Sequence, residues 1–251
     1  VIFQLVKSDF KNRYTGSFLG FLWAFIQPVV MTFIYWFVFT RMWGATRGPG
    51  GEPFLSYFIV GFVAWNFFVE AVSTATTVFV EYSFLVKKVR FKIAILPLVK
   101  ILSSLIFHCI FLTLAFVIII INGARPSLYW IQLLYYLAAL TCLLLGISWL
   151  TSSLHVFIKD IAQMVNVAVQ FGFWLTPIIW MVTMIPPELL PLFKLNPMLY
   201  IVDGYRKSLL YNQPFWGDIT GMACFWGLTA VIGLCGIMVF KKLRHHFVDV
   251  L

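Results

Sequence analysis

The chain has 251 residues, of which 62% are hydrophobic and 11% charged. Soluble domains hold about 45–50% apolar and about 25% charged residues, so this composition excludes a soluble globular domain and reads as a multi-pass membrane protein. The formal net charge of +9 invites a nucleic-acid partner. The basic residues are instead distributed as membrane topology requires, and no nucleic acid is expected.

Residues 18–40, 101–123, 127–158, 161–187 and 219–240 carry no Asp, Glu, Lys or Arg, and residues 54–80 are interrupted only by Glu70. Each run reaches the ~20 residues that cross ~30 Å of hydrocarbon. The expected fold class is therefore an all-α membrane protein with six transmembrane helices, forming one domain over residues 1–251. No cleavable leader is expected, because charged residues precede the first run and no cleavage site follows it.

In chain order, residues 1–15 (VIFQLVKSDFKNRYT) place Phe3, Val6, Phe10 and Tyr14 at spacings of three and four, with Lys7, Ser8, Lys11 and Asn12 mostly opposite. That pattern predicts an amphipathic helix lying in the membrane interface; a helical extension of the first span is the alternative. The first span is expected at about 18–43, followed by the turn-rich loop GATRGPGGEPF. The second covers 54–80. Residues 81–98 (EYSFLVKKVRFKIAILPL) form a long basic connection, punctuated at Pro97. The third and fourth spans are expected at 98–121 and 128–152, and the fifth at 162–180 after a tight turn.

Residues 181–217 stay apolar but hold Pro186, Pro187, Pro191 and Pro197. Proline removes a helix hydrogen bond and clashes with the preceding turn, so the pieces are too short to cross. Two short re-entrant helices are expected near residues 186–193 and 197–211, with Asn196 as N-cap and Pro197 at the first helical position. Asp203, Arg206 and Lys207 are expected near water, with Arg206 in an exposed pair with Asp203. The alternative is a loop resting on the membrane surface. The sixth span then covers 219–240.

Six spans place both termini on one side. That side holds twelve of the eighteen basic residues, including Lys7, Lys11, Lys87, Lys88, Arg90, Lys92, Lys100 and Lys159, against six on the other. The positive-inside rule puts the termini in the cytoplasm.

No GxxxxGK[ST] phosphate loop, no HExxH and no spaced Cys/His cluster occurs, so no metal site or ATP site of that kind is expected on the chain. The four cysteines, all within spans, read as small packing residues. Glu70 is the deep carboxylate. It serves either a transport path or a buried hydrogen bond to a neighbouring helix. On span five, Gln163, Asn166, Gln170, Phe173, Pro177 and Trp180 recur at helical spacing. On span one, Phe18, Phe21, Phe25, Pro28, Thr32, Tyr35 and Phe39 do the same. Aromatic faces stack on sugar C–H faces and amides meet hydroxyls, so the stripes suit a hydroxylated passenger. They suit helix packing equally.

RYTGSFLGFLWAFIQPVVMTFIYWFVF (residues 13–39) resembles the first-span signature of the polysaccharide-export permeases of type-2 ABC exporters. FIKDI (157–161), FWLTPIIW (173–180) and NPMLYIVDGYRKSLL (196–210) resemble that family's inner turn and outer-gate region, and run in the same order. The O-antigen and capsular (Wzm-like) permeases are the nearest group, and teichoic acid exporters look similar. The resemblance implies a non-enzymatic permease of the bacterial inner membrane. It would work as a homodimer with two ATP-binding subunits, which bind ATP and Mg, and move a glycan on a polyprenyl-type lipid. The resemblance makes residues 81–98, with Lys87, Lys88 and Arg90, the coupling element. It makes residues 181–217, with Pro186, Pro187, Asn196, Pro197 and Arg206, the periplasmic gate. Phe25, Thr32, Tyr35, Phe39, Gln163, Asn166, Gln170, Phe173 and Trp180 would line the conduit. It offers no role for Glu70. Two alternatives remain open: a small-molecule exporter of the same superfamily, and a membrane enzyme on polyprenyl-linked sugars, which would need clustered carboxylates.

Overall fold

The computed structural model describes residues 2–12, 22–87 and 92–251. Among them the regular structure is helical: α1 (Ile2–Asn12), α2 (Trp23–Phe37), α3 (Phe54–Thr76), α4 (Leu96–Ile121), α5 (Leu133–His155), α6 (Ile161–Leu175), α7 (Pro197–Leu209) and α8 (Ile219–Leu243). Short turns fill the gaps, including Val78–Glu81, Ser83–Val86 and Leu190–Phe193.

Among the described residues, five helical stretches are long and apolar enough to cross a membrane: Phe25–Met42, Phe54–Thr76, Ile93–Ile121, Leu128–His155 and Ile219–Val250. The expected fifth span is shorter than foreseen. Helix α6 has 15 residues, about 22 Å at ~1.5 Å per residue, against ~30 Å of hydrocarbon. It stops because Pro177 follows. The residue before a proline is pushed out of the helical region, and Thr176 is extended at φ −99° and ψ 132°.

Helix α3 is the centre of the bundle. Phe58, Ile59, Val63, Ala64, Ala71 and Ala75 have no exposed surface. It packs on α4, α5, α6 and α7. A helix apolar on every face is buried by neighbours or faces lipid; α3 takes the first course and α8 largely the second, with Val231, Leu234 and Met238 exposed. Helices α5 and α8 meet through glycine. A Cβ on Gly236 would lie 2.3 Å from the Gly146 carbonyl oxygen, and one on Gly146 would lie 2.9 Å from Gly233 Cα. Small residues permit that backbone approach without a hydrophobic drive between helices. Three of the cysteines depart from the packing role expected of them. Cys109, Cys142 and Cys235 are exposed on the flank of the bundle.

Helix α1 and the C-terminal residues lie at one end. Phe79, after α3, packs on Phe240 of α8 at 5.8 Å and on Phe247 at 5.1 Å between ring centroids. Helix α1 lies beside α4, with Phe10 stacked on Phe107 at 4.9 Å. The opposite end carries α7 and the loops around it.

Candidate functional site

The proline-broken stretch between α6 and α7 poses an accounting problem. Buried backbone carbonyls need partners, and here there is no helix to supply them. Arg206 of α7 supplies them. Its Nη1 donates to the Pro177 carbonyl at 2.6 Å, its Nη2 to Ile178 at 2.9 Å and its Nε to Tyr57 of α3 at 3.2 Å. The guanidinium carbon sits 3.6 Å from the centre of the Tyr57 ring. Tyr57 Oη in turn donates to the Trp180 carbonyl at 3.1 Å. Arginine suits the place because its donors form a fixed planar fork and its charge is permanent.

This corrects the expectation for Arg206. The side chain is 1% exposed and does not make the solvent pair with Asp203. Lys207 does, at 2.7 Å, and also reaches Asp218 at 3.6 Å. The reason lies in the helix face: Arg206 follows Val202 by one turn and shares the buried side with Tyr205 and Leu209. Burial lowers the Lys207 proton affinity, but the two carboxylates outweigh it and hold the ammonium above the ordinary lysine range. Gly61 of α3 makes the slot, since a Cβ there would meet Arg206 Nη2 at 2.7 Å.

Other parts of this corner follow local chemistry. Asn196 caps α7: its Oδ1 accepts the Met198 N–H at 3.0 Å and its Nδ2 donates to Thr176 Oγ1 at 2.8 Å. Pro197 occupies the first turn of α7, where its missing N–H has no cost. Pro186 and Pro187 are exposed on the loop between the corner and Leu190–Phe193. Tyr211 Oη donates to Glu52 Oε1 at 2.6 Å, which ties the end of α7 to the loop before α3. Burial, and then that hydrogen bond, raise the phenol above its ordinary value.

The two stripes fall differently. On α6, Gln163, Asn166 and Gln170 are exposed together on the outer surface of this chain. Phe173 turns inward against Tyr35 at 5.6 Å and Trp65 at 6.1 Å. Trp180 sits in the corner, with Nε1 donating to the Trp174 carbonyl at 3.0 Å. On α2, Phe25 is half-buried and Thr32 is buried, bonding back to the Pro28 carbonyl at 2.7 Å. Tyr35 packs on Phe58 and Phe62, and Phe39 stacks on Phe54 at 5.8 Å. The stripes thus meet through aromatic packing at Tyr35 and Phe173, while the three amides stand apart on an open face. Phe18 and Phe21 lie outside the described residues.

At the termini end, Lys100 is buried on α4 and held at 2.6 Å by Asp9 of α1 and at 2.6 Å by Glu81. Tyr82 Oη also donates to Asp9, at 2.9 Å. The cluster fastens α1 to the start of the basic connection. Lys87 is exposed; Lys88 and Arg90 lie outside the described residues. Sequence reasoning missed the roles of Asp9, Lys100 and the inward turn of Arg206. Only the last had a signal, its place on the apolar face of α7.

Long apolar helices around a buried central helix, with a backbone break satisfied from within, define a polytopic helical membrane protein. The particular family follows from comparison. The chain belongs to the ABC-2 type transporter family, whose profile matches residues 1–210. It is a membrane subunit of a transporter that works with an ATP-binding partner, and not an enzyme. It is similar to two O-antigen export system permease proteins RfbA of Klebsiella pneumoniae. The first is 25% identical over 98% of this chain and 93% of its own length, the second 24% identical over the same shares. An O-antigen export system permease protein RfbA of Myxococcus xanthus is 24% identical, over 99% of this chain and 94% of its own length.

Proposed function

We propose that this chain is the channel-forming subunit of an exporter that moves a lipid-linked polysaccharide, of the O-antigen or capsular type, across the bacterial inner membrane. The observation that carries this reading is similarity along nearly the whole chain to relatives named O-antigen export permeases. Two copies form the conduit and two ATP-binding subunits drive it, with ATP and Mg bound there. The exposed amides Gln163, Asn166 and Gln170 fit a face that meets the second copy or the passing glycan, because amides in lipid are costly. Helix α6 together with the irregular residues 176–180 makes the fifth of six crossings. Irregular backbone at membrane depth is tolerated where protein satisfies it, and Arg206 supports that role. The end with α1 and residues 81–98 is cytoplasmic, by the charge bias, and receives the stroke of the ATPase. Helix α1 lies in the interface there. Residues 181–217, re-entrant from the periplasmic side, close the outer mouth.

The test is ATPase activity of the reconstituted complex with three additions: lipid-linked glycan, lipid-linked teichoic acid and hydrophobic drugs. Stimulation by the glycan is expected. Stimulation by teichoic acid or drugs without any response to glycan would overturn the assignment.

A further inference from the structure

None of the expected conduit, gate or coupling roles uses residues 244–251. One tight helical turn, Arg244–His246, follows α8. Of residues 244–250, Phe247 alone is buried, and it has no exposed surface. Its neighbours Arg244, His245, His246, Val248 and Asp249 are all exposed.

The Phe247 ring enters an apolar cluster that is separate from the core around α3. Phe79, just after α3, lies 5.1 Å away between ring centroids, Phe157 6.1 Å and Phe240 of α8 6.2 Å. All three fall within the about 4.5–7 Å over which aromatic rings attract. Val78, Val86 and Leu96, from the connection between α3 and α4, belong to the same cluster, as does Val156, which follows α5. Both inner connections therefore meet in one apolar cluster, and the Phe247 ring touches rings from each.

Phe157 lies in the turn that leads into α6. Helix α6 has no buried residue, and Ile161 and Ala162 at its start are only partly covered. Its inner end thus takes its position from the turn before it. Helix α5 has its own ties to α3 and the basic connection. Trp149 Nε1 donates to the Ala94 carbonyl at 3.1 Å, and Thr76 Oγ1 donates to Thr151 Oγ1 at 3.0 Å. Both bonds stop short of the turn. Past His155, where α5 ends, ring contact between Phe157 and Phe79 runs through Phe247. Close-packed interiors are hardly compressible and pass strain on. We propose that Phe247 is a positioning residue that carries movement of residues 81–96 across to the turn at 157–160, and so to the inner end of α6. This rests on the reading of residues 81–98 as the segment that receives the stroke of the ATPase.

The test is hydrogen–deuterium exchange, read by mass spectrometry, on the complex with its ATP-binding partner in nanodiscs, with and without ATPγS and Mg. In the wild type, nucleotide should change exchange in peptides from residues 81–96 and from residues 156–165. In Phe247→Ala the change at 81–96 should remain, while that at 156–165 falls at least threefold. Phe247→Leu keeps most of the apolar volume and should lie between, and it carries the comparison if the alanine variant does not assemble. Leu144→Ala opens a cavity in the other core, where Leu144 is equally buried. It should respond as wild type, which separates lost transmission from lost stability. Glycan exported per ATP hydrolysed should fall at least threefold in Phe247→Ala and hold in Leu144→Ala. An undiminished response at 156–165 in Phe247→Ala, or an equal loss in Leu144→Ala, would overturn the proposal alone. So would a loss in Trp149→Phe with none in Phe247→Ala, which would put the route along α5. A wild type without any nucleotide response at 81–96 would overturn the coupling reading, and the role of Phe247 with it.

Discussion

Replacing Arg206 with alanine removes a partner that three backbone carbonyls share, those of Tyr57, Pro177 and Ile178. The Tyr57 carbonyl lies within α3 and has the helix to turn to, while those of Pro177 and Ile178 follow the end of α6. Two orphaned buried carbonyls cost about 1–3 kcal/mol each, hence about 2–6 kcal/mol, a large part of a typical stability of ~5–15 kcal/mol. Arg206→Lys keeps the charge but cannot reach carbonyls in separate directions. It should fall between alanine and wild type. Unfolding of the purified chain by SDS titration from mixed micelles, followed by circular dichroism, gives the number. Gly61→Ala supplies the control, since its Cβ would intrude on Arg206 Nη2 at 2.7 Å. The double variant Gly61→Ala with Arg206→Ala should be less damaging than the sum of the singles, because both act on one contact. A loss below about 0.5 kcal/mol, the ordinary range for surface substitutions, or strict additivity in the cycle, would refute the idea that Arg206 holds the corner together.

Further outcomes follow from the two ends of the bundle. Lys100→Met leaves the nearly buried Asp9 without its ammonium and should cost about 3–5 kcal/mol; the same SDS titration reads it. Glu81→Gln, whose side chain is 46% exposed, should cost at most about 1 kcal/mol. Equal losses in the two variants would contradict the burial asymmetry. In a thiol-free background, a cysteine at Lys87 should react with an impermeant maleimide only from the cytoplasm, and one at Arg47 only from the periplasm. Labelling of both from one face would reverse or break the proposed topology. Replacing Lys87, Lys88 and Arg90 together with Glu should lower ATP-driven export several-fold while the protein still inserts. Unchanged export would remove that segment from the coupling path.

Much of this architecture was legible in local chemistry. Long charge-free runs become helices because lipid and core alike leave the backbone no other partner. Asn196 and Pro197 start α7 as expected, because a cap needs only its own next residues. Pro177 ends α6 for an equally local reason, although the apolar run through it led to an expected span reaching residue 180. Neighbouring cations were harder. Arg206 and Lys207 are adjacent, and only the packing of α7 on α3 sends one inward to carbonyls and leaves the other to Asp203. Asp9 and Lys100 are 91 positions apart and meet because α1 folds back along α4. Glu70 looked solitary along the chain. The tertiary structure sets it with Asn66 beside His108 and Ser104 of another helix and Gln27 of a third. The sequence by itself determined where the helices begin and break, because those choices depend on residues within a turn. The partners of the buried polar groups were decided by tertiary structure, because they come from helices distant in the chain.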